Sequence, residues 1–367
     1  MLIKLKRHLT NVFKASPAFK RILLWLINSF YKNRPLVIGN LMRIPTYAKH
    51  ILNSKLVAGP GTLGFGGGVF NPGALFLDNN RILLIARAQI VPWFKARGKK
   101  RDWYLVGSPI VFVLDAQTLS VQKMFVVEKL IGFPDESTFA VEDLRLFRWG
   151  DKMMINHSFI RKGNLNGVIF QESVSSALSV YDKEHRSIMF YGIPLLDFEV
   201  ENIEKNWVYV DNRGTLLLFY SVTPFRVLEL QNHGSFTFNT IVNCTFSDKL
   251  SNPGGFGSMV SFSTNPIDYD DKHWLIVIHQ IKHKVLWRCY FHWAVLIDKS
   301  TLCPVKISAQ PIFSGMGARG RIPGYRYISA VLIKDDEVFF FAGEGDVYVT
   351  VTKKRVQELD AMFIPVK

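Results

Sequence analysis

Five times along this chain a polar or glycine-containing opening leads into an apolar stretch, a short turn and a strongly apolar run. The phrase reads NPGALFLDNNRILLIARA from Asn71, EDLRLFRWGDKMMINHSF from Glu142 and EKNWVYVDNRGTLLLFYSV from Glu204. It returns as GSMVSFSTNPIDYDDKHWLIVIHQ from Gly257 and YISAVLIKDDEVFFFAGEGD from Tyr327. With Asn71, Asp143, Asn206, Ser258 and Ile328 as markers, the steps are 72, 63, 52 and 70 residues. Four-stranded repeats commonly run ~40–50 residues, so these steps predict one blade each plus loop insertions. Runs rich in Val, Ile, Phe, Tyr and Leu flank turn chemistry at Asp78-Asn79-Asn80, Trp149-Gly150-Asp151, Asp211-Asn212-Arg213-Gly214 and Lys334-Asp335-Asp336, the pattern of β-hairpins rather than helices. The expected fold is all-β, a five-bladed β-propeller. The innermost strand of every blade lines a central channel, so the polar residues that open each phrase converge there although they are far apart in sequence.

Composition agrees with a single large β domain. Hydrophobic residues make up 48% of the 367 positions, enough for a sizeable core, and residues 35–367 are assigned to the propeller. Residues 1–34 read as a basic amphipathic helical segment that ends before Pro35, with Lys4, Lys6, Arg7, Lys14, Lys20 and Arg21 interleaved with Leu, Phe and Trp. An anionic membrane surface, the side of the propeller and a second protomer are all open as its partner. The apolar run Ile22 to Ile27 is far shorter than the ~20 residues a spanning helix needs. Without a small-residue cleavage site after it, it does not read as a secretory signal. Three cysteines, Cys244, Cys289 and Cys303, are an odd number without CxxC spacing, so no disulfide framework is expected. The location read from these features is cytoplasmic, with the inner face of the membrane one of the candidate contacts of residues 1–34.

The net charge is +15, with basic residues gathered at the N-terminus, in Lys95 to Arg101 and near Arg319 to Arg326. That field attracts polyanions, anionic lipid and phosphorylated substrates alike. No Cys/His finger, RNP-like segment or helix-turn-helix pattern accompanies it, so nucleic acid is not an expected partner. His279 and His283 have i, i+4 spacing but lie at a strand end with no Glu after the first His, and no metal or other cofactor is expected.

Several fragments follow one another in an order that resembles glycoside hydrolase family 130 and its mannosyltransferase relatives. They are Phe70-Asn71-Pro72-Gly73-Ala74, Ala86-Arg87-Ala88, Glu142-Asp143-Leu144-Arg145, Glu204-Lys205-Asn206-Trp207, His279 with Tyr290, and Gly343-Glu344-Gly345-Asp346. The resemblance spans roughly Phe65 to Val349 and implies β-mannoside chemistry on a five-bladed propeller. It implies that Asp143 is the single catalytic acid, which in the synthetic direction is the base toward an acceptor hydroxyl. It also places Asn71 and Arg87 among the sugar-binding groups, and Arg145 and Asn206 are assigned beside them. Trp207 is the best placed of the tryptophans to stack on a sugar ring, since Lys205 and Asn206 would supply a polar rim.

A transferred phosphate or a phosphorylated leaving group needs fixed cations, and Lys205, His279, Arg226, Arg288 and Tyr290 are the candidates for that work. Two departures bear on the donor: Leu144 stands where the family pattern has proline, and Ser251-Asn252-Pro253 lacks an arginine seen in many relatives. Both weigh against inorganic phosphate and toward a sugar nucleotide. The resulting expectation is an inverting transferase that forms β-mannosidic linkages on a glycan acceptor from a phosphate-activated donor such as GDP-mannose. A β-mannoside phosphorylase releasing mannose-1-phosphate, a hydrolase and a non-catalytic glycan-binding propeller are the alternatives.

Overall fold

The structure is a computed structural model, and it describes residues 54–89, 107–133, 139–165, 168–245, 259–283, 288–315, 318–320 and 324–366. The N-terminal segment 1–34 and the basic run Lys95 to Arg101 lie outside the described residues.

The strands form five sheets. Sheet 1 is the meander Gly68–Asp78, Arg81–Gln89, Gly107–Asp115 and Val121–Val126. Sheet 2 runs outward from Phe139–Trp149 through Lys152–Leu165 and Val168–Asp182 to Ser187–Gly192, and sheet 3 from Val208–Asn212 through Thr215–Val222 and Phe225–Asn232 to Thr237–Cys244. Sheet 4 is built on His273–His283 and Arg288–Asp298, and sheet 5 on Arg326–Lys334, Glu337–Glu344 and Tyr348–Arg355. Lys55–Ala58, from the start of the described chain, pairs with Tyr348–Arg355 near its end and completes sheet 5.

The anticipated hairpins form where turn chemistry marked them. Asp78 Oδ1 accepts from the Asn80 amide at 2.9 Å, and Asp211 Oδ1 accepts from the Gly214 amide at 2.6 Å. Arg213 and Gly214 both have positive φ, 56° and 93°, the geometry a two-residue hairpin turn requires.

The core lies between sheets rather than within any one of them. One cluster joins Ile82, Leu84 and Phe112 of sheet 1 to Phe339, Phe341 and Val351 of sheet 5. The next joins Leu83, Ile85 and Val111 to Leu146 and Ile155 of sheet 2, and a third joins Met154 and Leu178 to Leu218 and Phe238 of sheet 3. Phe219 and Phe225 meet Trp274 and Ile276 of sheet 4, and Leu275 and Val277 meet Val331 and Phe340 of sheet 5. Each sheet buries both faces, so strands such as Arg81–Gln89 are almost continuously buried and apolar.

The arrangement is a β-propeller. Four blades of regular form are recognised rather than the expected five. The sheet of seven strands departs most from a regular blade: its inner edge is divided between Met259–Phe262 and Ile267–Asp268, and Phe363–Pro365 adds to its outer edge. No helix among the described residues is long and apolar enough to cross a membrane.

Candidate active site

The inner strands do more than meet at an axis, because three of the opening residues, Asn71, Asp143 and Asn206, reach it from left-handed backbone. In sheet 1 the register shifts between Phe70 and Gly73, and Asn71 within the bulge has φ 50°. In sheet 2 it shifts between Glu142 and Arg145, and Asp143 has φ 54°. Asn206, just before sheet 3, has φ 68°. A bulge inserts one residue against its partner strand and re-aims a side chain, and these polar residues tolerate left-handed backbone better than branched ones. Left-handed backbone at the opening residue thus recurs in sheet 1, in sheet 2 and just before sheet 3.

These residues line one cavity of about 210 Å³ together with Phe70, Arg87, Gln89, Glu142, Lys205, His279, Tyr290, Tyr327 and Asp346, so all five sheets contribute to its wall or to the connections beside it. Asn71 Nδ2 donates to Asp143 Oδ1 at 2.8 Å, linking residues one repeat apart. Arg87, buried and stacked over the Phe70 ring at 5.5 Å, pairs with Glu142 at 2.5 Å. Gly343 makes room for this: a Cβ there would lie 2.1 Å from Asn71 Oδ1 and 2.7 Å from Asn71 N. Gly343→Ala is expected to push Asn71 off Asp143 and lower turnover roughly tenfold while the protein stays folded, as steady-state kinetics beside a thermal melt will show.

Arg145 forms the floor. Its side chain is 2% exposed. Nε donates to Ser263 O at 2.7 Å and Nη2 to Asn206 Oδ1 at 3.0 Å, with a further Nη2 bond to the Tyr327 hydroxyl. One guanidinium thereby ties sheet 2 to residues beside sheets 3, 4 and 5. Below it a second cavity, of about 360 Å³, is lined by Arg145, Leu146, Val210, Asn265 and Ser329. Asn265 bridges there from Leu146 O to the Tyr209 amide, and Ser329 Oγ donates to Pro72 O at 2.7 Å, joining sheet 5 to sheet 1.

The electrostatics single out Asp143. Burial pushes its carboxyl pKa up, but Lys205, Arg145, the Asn71 hydrogen bond and Arg87 together outweigh that and hold it below its usual value of 3.8. It is an anion at neutral pH. His279 is the opposite case: burial, with Arg145 and Lys205 nearby, pushes it down to about 3, so it is neutral and its Nδ1 shares a 2.9 Å bond with Ser263 Oγ. Tyr327 is pushed up to about 12 by burial and remains a neutral phenol.

His279 also carries a stability consequence. It and His157, which burial lowers to about 4, fold as neutral rings while the unfolded chain titrates near 6.5. Below that value the unfolded state binds protons that the folded state does not, so stability falls with pH. Urea melts are expected to show a loss on the order of 1 kcal/mol per histidine on going from neutral pH to about 5.5.

Not every residue expected at the site is gathered there. Asn71, Arg87, Lys205, Asn206, His279 and Tyr290 line the cavity with Asp143, and Arg145 lies beneath them. Trp207 is 2% exposed, packed against Tyr220 with ring centroids 5.2 Å apart, and belongs to the core between sheets 2 and 3. Its neighbour Asn206, with left-handed backbone, lines the cavity instead. Arg226 sits on the third strand of sheet 3, with its guanidinium over the Phe198 ring at 5.2 Å, outside the cavity lining. Arg288 begins the strand Arg288–Asp298, and its side chain lies outside the described part. The expected cluster of anion-binding cations is thus reduced, among the described cavity residues, to Lys205 and the paired Arg87, with neutral His279 beside them.

Glu142, Tyr327, Ser263 and Asp346 were not assigned roles from sequence. Asp346 ends the Gly343-Glu344-Gly345-Asp346 fragment and Tyr327 opens the fifth phrase, so position in the repeat was the available signal for both. Ser263 carried none, because it enters through a backbone carbonyl and a hydroxyl on an irregular segment after Met259–Phe262.

No protein-family model matches the chain, and no curated protein matches it. Solved structures do resemble it. A β-1,2-mannobiose phosphorylase from Listeria innocua matches over 80% of this chain and 91% of its own, at 16% identity and TM-score 0.56. A glycosidase-like protein of Bacteroides thetaiotaomicron matches over 84% and 98%, at 13% identity and TM-score 0.57. A GDP-Man-dependent mannosyltransferase from Leishmania mexicana matches over 82% and 90%, at 9% identity and TM-score 0.53. At such identities the likeness is one of fold.

Proposed function

We propose that this chain is an inverting β-mannosyltransferase on a propeller whose five sheets each act as one blade, using a phosphate-activated mannose donor and a glycan acceptor. The observation that carries the reading is the state of Asp143: a cavity carboxylate kept ionised by Lys205, Arg145 and Arg87 and oriented by Asn71. Cleaving an unactivated mannoside calls for a protonated acid at the bridging oxygen, and the cationic surroundings of Asp143 oppose that form. Synthesis from a sugar nucleotide makes the opposite demand. The diphosphate leaves as a stable anion, and the acceptor hydroxyl needs a proton acceptor as it attacks the anomeric carbon from the other face.

In this reading Asp143 takes the acceptor proton, Asn71 and Asn206 hold sugar hydroxyls, and Lys205 faces the donor phosphates. Arg87, fixed by Glu142 and Phe70, presents a planar fork to vicinal oxygens. Tyr290 and Tyr327 supply aromatic wall and neutral hydroxyls. The net charge of +15, with the basic run Lys95 to Arg101, favours a polyanionic donor. The Listeria and Leishmania proteins respectively handle β-1,2-mannobiose and GDP-Man, as named, and their shared fold with this chain supports a mannosyl substrate.

A second reading, phosphorolysis of β-mannosides, is favoured by the phosphorylase among the fold relatives. Proton NMR of the first-formed product discriminates. The transferase releases nucleotide and yields an anomeric centre opposite in configuration to an α-linked donor, whereas release of mannose-1-phosphate from a β-mannobiose and inorganic phosphate supports phosphorolysis. The pH profile adds a check. With Asp143 ionised and His279 neutral, kcat/KM corrected for folded fraction is expected to pass through the histidine range near 6.5 without an inflection. An inflection there would assign a protonated histidine to the donor phosphates.

A further inference from the structure

Sheets 3 and 4 meet at an outer edge where two thiols face each other. Cys244 ends the strand Thr237–Cys244 of sheet 3, and Cys303 immediately precedes the strand Pro304–Ser308 of sheet 4. Their Sγ atoms are 2.8 Å apart although the residues are 59 apart in sequence. Both are half-buried; Cys244 packs against the core cluster shared by the two sheets, and Cys289 is buried within that cluster. Nothing in the sequence pairs Cys244 with Cys303, and the odd count without CxxC spacing argues only against a disulfide framework.

We propose that Cys244 and Cys303 form a reversible redox crosslink between sheets 3 and 4, made by exchange with a small-molecule disulfide. The position on Cys303 is held locally: Asp298 donates its amide to Cys303 O at 3.0 Å, Cys303 donates its own amide to Thr301 Oγ1 at 3.4 Å, and Leu302 has φ 57°. Cys244 is held by register opposite Phe225. The two thiols thus come from elements fixed by their own sheets, so approach does not depend on a loop swinging in.

Burial, together with the hydrogen bond from Cys303, pushes the Cys244 thiol up to about 12, which keeps it protonated. In the proposed exchange Cys303 makes the first attack. Its thiolate displaces one half of the small disulfide as a thiolate, which takes up the proton Cys303 gave up. Cys244, on losing its own proton, then attacks the Cys303 sulfur and expels the second half as a thiol. Two protein thiols are oxidised, one small disulfide is reduced to two thiols, and atoms and electrons balance.

The bridge would close a loop of the 59-residue separation between outer strands of the two sheets that present Asn206 and His279 to the cavity. Loop closure of that size is expected to raise the unfolding temperature by on the order of 5 °C.

The test uses the full chain, reduced and then incubated with oxidised glutathione. Intact-mass spectrometry should show loss of two hydrogens, and non-reducing peptide mapping should show a Cys244–Cys303 linkage that dithiothreitol reverses. Cys244→Ser and Cys303→Ser should each abolish the linkage and the thermal shift, and Cys289→Ser should retain both. A stable glutathione adduct on either cysteine, or unchanged free thiols after equilibration, would overturn the proposal. The wild-type mass decides it even if a variant folds poorly.

Discussion

Replacing Asp143 with Asn is expected to lower turnover by roughly 10²–10⁴-fold while leaving donor affinity within a few-fold of wild type. The substitution keeps size and the hydrogen-bonding contact with Asn71 but removes the charge that Lys205, Arg145 and Arg87 surround. An amide accepts no proton from an attacking hydroxyl, so the loss falls on kcat. Binding energy from Asn206, Arg87 and the aromatic wall remains. Pre-steady-state kinetics with isothermal titration separates the two quantities. Parallel loss of binding and turnover would mean that Asp143 holds substrate or structure rather than moving a proton, and unaltered turnover would remove it from the chemistry.

The second large effect concerns Arg145. Arg145→Ala is expected to destabilise the fold by about 4 kcal/mol or more and to abolish activity in whatever fraction stays folded. The side chain is buried, and its removal strips hydrogen bonds from Ser263 O, Asn206 Oδ1 and the Tyr327 hydroxyl at once, leaving a void between the two axial cavities. Arg145→Lys should recover only part of the stability, because an ammonium group cannot reach the same acceptors as a planar fork. Denaturant melts measure the first quantity. If Arg145→Lys restores full stability, the planar geometry is unimportant and Arg145 is simply a buried charge.

Both predictions rest on features that were only half legible in the sequence. The repeated phrase exposed the hairpins, the all-β class and the convergence of Asn71, Asp143 and Asn206, because alternating apolar runs and turn residues are local properties. The bulges that turn Asn71 and Asp143 inward are also local, but they are visible only as a register shift between two strands. Arg145 read as a sugar-positioning group, and its role as the tie among sheets depends on Ser263, Asn206 and Tyr327, between 61 and 182 residues away.

The anion-binding set was the least legible part. Counting basic residues near a motif does not say which way a side chain points or what burial does to its charge. Arg226 lies over Phe198, away from the cavity, and His279 reaches the cavity but is neutral. Trp207 illustrates the same limit at a distance of one residue: Asn206 faces the channel and Trp207 the intersheet core. The pairing of Cys244 with Cys303 was hidden for a related reason, since contact between outer strands of neighbouring sheets leaves no spacing rule in the chain.

On the proposed reading the converged cavity transfers mannose from an activated donor through Asp143. Mass spectrometry of a mannosyl-acceptor panel incubated with GDP-mannose, other sugar nucleotides or mannose-1-phosphate tests it most directly. Acceptors extended by one hexose from GDP-mannose are expected with wild type and none with Asp143→Asn. Extension from mannose-1-phosphate alone, or no extension from any donor by folded wild-type protein, would contradict that reading.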